Sequence, residues 1–304
     1  MKVSLEEAAR LLKEGKNVVI PTETVYGLAA SIYSKEAIKG IFEIKNRPST
    51  NPLIVHVADV QDINFANTDI EGFKSLVEAF WPGPLSFVIP LTRALDKQIT
   101  AGLESVAVRC PRHELCHQLL KLTGPLVAPS ANPSGKPSPT RFEHVEHDYQ
   151  GALAVLEGGV CASGVESTII AWDIPGKKWV LARLGSLSPE KIEKVLGYSL
   201  ERRLKGDVAI CPGQKWRHYA PFAQLHLTPK SKVPVVGFKE RFYDQSPLFC
   251  LGSLENPSQC LENLYDILRK LDLEEISEAW VDLDFPGDGL WQTLRERLTK
   301  AAGQ

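Results

Sequence analysis

The sequence predicts an α/β protein: a large sheet with helical cover, followed by a smaller α/β unit. Three observations predict it. Short apolar, β-branched runs alternate with amphipathic stretches of helical period along the first two hundred residues. Periodicity then dissolves into charge around 200–206, and a Pro- and aromatic-rich stretch follows at 211–223. Beyond it the alternation resumes on a smaller scale, and 304 residues are more than one core usually fills. The expected division is 1–200, a linker at 201–223, and 224–304.

Each element has its own signal. Leu5, Ala8, Ala9 and Leu12 share one face of an N-terminal helix, and Glu6 and Glu7 in its first turn suit the helix dipole. Asn17–Ile20 is an apolar run ended by Pro21, a strand entering a loop. Ser34 caps a helix to about Ile44, with Ile38, Ile41 and Phe42 inward and Pro48 stopping it. Leu53–Val57 reads as a strand interrupted by His56, and Glu71–Phe80 as a helix broken by Trp81-Pro82-Gly83-Pro84. Strands at Leu85–Leu91 and Val106–Arg109, a helix near Glu114–Leu122 and a strand from Leu126–Ala128 follow. The last runs into a polar loop, Pro129–Gly135. Strand-like runs at Ala152–Leu156, Ser167–Ala171 and Trp179–Leu184 close the first region. The second region offers strands at Val233–Val236, Leu248–Leu251 and Ala279–Leu283, with helices at Leu261–Leu271 and from Leu290.

Composition narrows the function classes. Thirty-five basic residues against 37 acidic ones give a net charge of -2, so a wide nucleic-acid footprint is not expected and any such contact is local. No run of roughly 18 apolar residues suggests a membrane span, and the N-terminus has no apolar core of signal-peptide length. Six scattered cysteines form no Cys-x-x-Cys pair and match no zinc spacing. A cytoplasmic protein with reduced thiols is the expectation.

Several segments place polar groups at strand or helix ends. Pro21-Thr22-Glu23-Thr24-Val25-Tyr26-Gly27-Leu28 exposes hydroxyls and a carboxylate beside a turn, although in isolation it reads first as a mere capped turn. Lys45 and Arg47, two apart in a proline-locked loop, can converge on one polyphosphate, Arg by a bidentate grip and Lys as a point charge. A helix C-terminus also welcomes cations for its dipole alone. His56 inside an apolar strand is compatible with a satisfied core histidine. Ala128-Pro129-Ser130-Ala131-Asn132, Gly164–Thr168 and Arg183 repeat the pattern at other strand margins. Neither Gly-x-x-x-x-Gly-Lys-Ser/Thr nor a strand-to-helix Gly-x-Gly-x-x-Gly occurs.

Taken in order, PTETVYGL, KNRPSTNPLIVHV, WPGPLSFV, VAVRCP, APSANPSG, GVESTII, LARLG and PGQKWRHYAP make the chain resemble the YrdC-like threonylcarbamoyl-AMP synthases in their longer, two-domain form. The resemblance covers about residues 17–221. It implies a twisted mixed sheet with helices around a concave ligand cavity, plus a smaller Rossmann-like C-terminal domain. It implies synthesis of threonylcarbamoyl-adenylate from L-threonine, bicarbonate and ATP, for modification of tRNA by a separate threonylcarbamoyl transferase. Lys45, Arg47, Ser130 and Asn132 match the set that holds the ATP phosphates and carries catalysis. Asn51, Ser105, Ser138 and Arg183 match further ATP contacts, and Tyr219 a linker tyrosine that folds over the nucleotide. Thr24, His56, Arg109, Ala128 and Ser167 match the L-threonine positions. Mg²⁺ is expected with the nucleotide; its protein ligands are unassigned, with Glu166 the one candidate.

The C-terminal resemblance rests on Glu262–Tyr265, Leu268-Arg269, Leu271-Asp272 and Gly287–Leu290, in a unit shorter than the family's and with Trp291-Gln292 in an unusual place. A competing reading is an RNA-binding module of the same fold, using Arg202, Arg203, Lys205, Lys215 and Arg217. A hydrogenase-maturation carbamoyltransferase would need zinc modules not seen here. A serine hydrolase would need a Gly-x-Ser-x-Gly elbow around Ser130.

Overall fold

The computed structural model describes residues 1–202, 210–212, 218–244 and 246–303. Strands β1(Lys2–Val3), β2(Val18–Ile20), β3(Gly27–Ser31), β4(Ile54–His56), β5(Leu85–Pro90), β6(Ser105–Arg109), β7(Leu126–Val127), β8(Ala154–Leu156), β9(Thr168–Asp173) and β10(Lys178–Arg183) form one mixed sheet. Its order is β1-β8-β2-β3-β7-β4-β6-β5-β9-β10. Helices α1(Leu5–Lys13), α2(Lys35–Lys45), α3(Phe73–Phe80), α4(Lys97–Thr100), α5(Glu114–Thr123), α6(Phe142–Tyr149) and α7(Pro189–Leu196) belong to this region. A second sheet, all parallel, follows: β11(Gln224–His226), β12(Val235–Phe238), β13(Leu248–Gly252) and β14(Glu278–Val281), in the order β11-β14-β12-β13. Helices α8(Pro257–Leu273) and α9(Leu290–Ala301) pack with it. Among the described residues no helix is long and apolar enough to cross a membrane.

Local signals explain the well-formed elements. The Ser34 hydroxyl accepts from the Ala37 amide, and Asn46, at φ 49°, ends α2 in the left-handed conformation. That turn leaves Lys45, the last helical residue, facing the interior at 2% exposure. Beside the short β1, α4 and β11, three further elements lie outside the sequence expectations. β3 is Gly-Leu-Ala-Ala-Ser, without the β-branched residues that mark a strand. It forms because its two edges pair with β2 and β7. α6 carries two histidines and mixed charge, which mask its period. α7 has Ser188, Pro189 and Gly197 at its ends, a terminus pattern that compensates a short apolar face.

The main core is aliphatic and aromatic around the ten-stranded sheet, from Val19 to Ile192. The second core surrounds β12 and α8, and it takes in Val25, Val165 and Tyr219 from the first region and the linker. Contact between the two units is close. Gly164, at φ +67°, approaches α8 so tightly that a Cβ there would meet Glu262 Cα at 2.3 Å and Leu261 O at 2.5 Å. Arg269 of α8 forms an ion pair with Asp148 at 2.6 Å, and the Thr293 hydroxyl donates to the Gly185 carbonyl at 2.9 Å. Gly164→Ala should therefore cost at least ~2 kcal/mol in denaturant unfolding, because backbone must move as well as φ. Gly159→Ala, also at positive φ but with nothing within 4 Å, should cost only about 1 kcal/mol.

Candidate functional site

One cavity of about 440 Å³ opens where several strands and loops of the first sheet end, within the roughly 300–1,000 Å³ usual for small-molecule sites. β4 and β6 run parallel with His56 opposite Arg109, which sets both side chains side by side in its wall. The loop after β7 supplies Ala128, Ser130 and Asn132, and Ser138 follows. Thr24 comes from the loop between β2 and β3, Lys45 and Arg47 from the end of α2, and Asn51 from the turn after it. Ser167 precedes β9, and Arg183 ends β10. Tyr219 of the linker completes the lining with Pro212 and His218. Ser105 stands apart from this wall. It opens β6 opposite Pro90, at the other end of the strand from Arg109, and four residues of strand span about 13 Å.

One end of the cavity is strongly cationic. The Lys45 ammonium donates to the carbonyls of Ser130, at 2.5 Å, and Asn132. Arg47, half-buried, donates to the carbonyls of Asn51 and Pro52 at 3.2 and 2.9 Å. Arg183 donates to the Ser167 carbonyl at 2.8 Å and the Ser167 hydroxyl at 3.2 Å. Burial first, and Arg47 second, hold the Lys45 amine well below its ordinary value. Burial and the like charge of Arg183 likewise push Arg47 down. Cations whose hydrogen bonds go to neutral groups are poised for an added polyanion. Asn132 spends its amide on the Pro133 and Lys136 carbonyls, while its Oδ1 is buried without a hydrogen-bond partner.

The other end centres on Arg109, 3% exposed. Its Nε donates to the Gly83 carbonyl at 3.2 Å and its Nη1 to the Thr24 hydroxyl at 2.8 Å. Nη2 lies 2.6 Å from Glu23 Oε2. His56 Nδ1 lies 3.2 Å from the Ile54 carbonyl; the carbonyl only accepts, so Nδ1 carries the proton and Nε2 the lone pair.

Over this floor, Tyr219 is clamped. Its ring stacks on Tyr265 of α8 at 5.3 Å between centroids, and the Arg297 guanidinium of α9 sits 4.9 Å from its centroid. The clamp holds its backbone at φ 66°, a conformation costly for a residue with a Cβ. Glu166 anchors the clamp: it accepts from Ser138 at 2.7 Å, from the Tyr265 hydroxyl at 2.8 Å and from Arg297 Nε at 3.2 Å. Burial alone would raise its pKa, but Arg297, Arg183 and Ser138 outweigh that and hold it at about 2. Both oxygens are thus engaged, which leaves Glu166 unsuited to bind Mg²⁺. Among the described residues no group of three or more His, Cys, Asp or Glu could hold a metal.

Sequence reasoning missed Arg297 and the full role of Glu166, because their partners lie 131 residues apart. The pattern Gly-Val-Glu-Ser-Thr marked Glu166 as polar at a strand margin, and nothing local pointed to α9. Of the basic cluster, Arg202 pairs with Glu296, while Arg203, Lys205, Lys215 and Arg217 lie outside the described residues.

His56 makes stability depend on pH. Burial first, then Arg109, lower its pKa to about 3, so the folded imidazole stays neutral while an unfolded one protonates near 6.5. Below that value the unfolded chain binds the extra proton, and stability falls as pH falls. His56→Gln should therefore lose about 2 kcal/mol less than the parent between pH 6.5 and 5, read by denaturant titrations at both pH values.

Comparison with known proteins gives the family and supports the fold. The family model described as telomere recombination (Sua5, YciO and YrdC) matches residues 10–185, and the one described as threonylcarbamoyl-AMP synthase, C-terminal domain, matches residues 187–303. The threonylcarbamoyl-AMP synthase of Bacillus subtilis (strain 168) is 39% identical, across 98% of this chain and 93% of its own. That of Pyrococcus abyssi is 39% identical, across 97% and 93%. The crystal structure of P. abyssi Sua5 complexed with L-threonine matches with a TM-score of 0.90 and 37% identity, covering 100% of this chain and 97% of that one. Matching domains in matching order, with relatives 39% identical across nearly the whole chain, place this chain in the Sua5/YrdC family of threonylcarbamoyl-AMP synthases, in its two-domain form.

Proposed function

We propose that the chain condenses L-threonine, bicarbonate and ATP into threonylcarbamoyl-adenylate and pyrophosphate. The observation that carries this reading is the convergence of Lys45, Arg47 and Arg183 on the same cavity as Arg109, His56 and Thr24. Kinship with relatives named for this synthase, one of them crystallised with L-threonine, supports it.

In this reading Arg109 and Thr24 take the threonine carboxylate, and the neutral His56 offers its Nε2 lone pair to the amine. The amine nitrogen attacks the carbon of bicarbonate, water leaves, and a carbamate forms. A carbamate oxygen then attacks the α-phosphorus of ATP, and the bond to the β-phosphate oxygen breaks to release pyrophosphate. The nucleophile belongs to the substrate. The protein contributes positioning and fixed positive charge where negative charge moves. Lys45, Arg47 and Arg183 are the cations for the phosphates, with Ser130, Asn132, Ser138 and Asn51 as their polar neighbours. Magnesium, in this proposal, enters as the counter-ion of the nucleotide, and no protein ligand is assigned to it.

Tyr219 closes the site against water, which matters because both the carbamate and the mixed anhydride hydrolyse. The product passes to a tRNA threonylcarbamoyl transferase, and the net charge of -2 fits at most weak direct contact with tRNA. Arg47→Lys keeps the charge but loses the fork. It should lower threonine- and bicarbonate-dependent pyrophosphate release about 10-fold or more, with an unchanged circular dichroism spectrum. Parental rates in Arg47→Lys and Arg47→Ala would refute the phosphate assignment.

A further inference from the structure

Among the described residues five cations line the cavity, Lys45, Arg47, Arg109, Lys136 and Arg183, and the one lining carboxylate, Glu166, is already engaged by Arg297. A wall of that kind draws carboxylates, bicarbonate and phosphates alike. One of the five is built differently. Lys45, Arg47 and Arg183 donate to backbone carbonyls and Lys136 lies over the Phe222 ring, but Arg109 is in direct contact with a carboxylate. Glu23, 8% exposed, does not line the cavity; its Oε2 lies 2.6 Å from Arg109 Nη2. Both Glu23 oxygens and Arg109 Nη2 are buried without an aligned hydrogen bond. The contact is one of charge against charge. Thr24, the next residue, takes Nη1 of the same guanidinium and shares a hydroxyl contact of 2.8 Å with Thr22. One tripeptide therefore both orients and neutralises Arg109.

We propose that Glu23 is a positioning residue that sets specificity: it turns the Arg109 end from a general anion site into one that accepts a carboxylate only with an ammonium beside it. The inference rests on the reading of this end as the amino-acid subsite. The Arg109–Glu23 pair is neutral overall, so a lone anion attracted by the guanidinium is repelled by the carboxylate behind it. A zwitterionic α-amino acid returns the balance, because its ammonium is attracted by Glu23. In a dry wall these terms are screened weakly. The device also reserves the remaining cations for phosphate and keeps bicarbonate and pyrophosphate out of the amino-acid position.

The test compares L-threonine with 3-hydroxybutyrate, the same carbon chain without the amine, by calorimetric titration of the whole protein. The parent should bind threonine at least about 10-fold more tightly than 3-hydroxybutyrate. In Glu23→Gln that ratio should shrink by about 10-fold or more, through a gain in 3-hydroxybutyrate affinity. Circular dichroism and ATP titration report whether the variant is folded. A folded Glu23→Gln that weakens both ligands equally has lost only structure, and the unchanged ratio would overturn the inference alone. Should the variant not fold, the parent decides: equal affinity for the two ligands overturns the inference. No threonine binding by the parent would overturn the amino-acid reading, and this inference with it.

Discussion

A single buried carboxylate, Glu166, must find its counter-charge and hydrogen bonds in two separate parts of the chain. Ser138 reaches it from the first sheet's loops, and Tyr265 and Arg297 reach it from α8 and α9. Leaving such a charge without its cation costs on the order of 3–5 kcal/mol, so the two units are held against one another wherever Glu166 is ionised. Arg297, with no exposed surface, has the same need in reverse. Tyr219 of the linker meets this pair: its ring stacks on Tyr265, lies against the Arg297 guanidinium and lines the cavity.

The cavity floor follows a second constraint. Buried cations need partners, and without a ligand Lys45, Arg47 and Arg183 take backbone carbonyls. Those bonds also fix the loops that carry Ser130, Asn132 and Ser167, so the cationic end is preorganised. Carbonyls satisfy hydrogen bonds but not charge, and an arriving polyanion adds what is missing. Arg109 and His56 show the complementary arrangement: burial first and the guanidinium second keep the imidazole neutral, and the Ile54 carbonyl chooses its tautomer.

Much of the fold was legible locally. The Ser34 cap, Pro48 and the inward Ile38 and Ile41 defined α2, and the β-branched runs defined β4 and β6. β3 was not legible, because Gly27–Ser31 is small-residued and becomes a strand only through its neighbours. Most of the site residues were legible through ordered motifs at strand and helix ends. Ser105 carried the motif's likeness but stands at the far end of its strand from Arg109.

What the sequence determined by itself was most of the larger elements, the polar strand ends and the family likeness, since each depends on residues close together in the chain. Only the tertiary structure decided that Glu23 backs Arg109 and that Glu166 joins Ser138 to Tyr265 and Arg297. The same holds for Tyr219, which sits beneath a buried arginine. The physical reason is the range of the forces. Capping and periodicity act within a turn or two, whereas a buried charge selects its partner by distance in space, across 131 residues for Glu166 and Arg297.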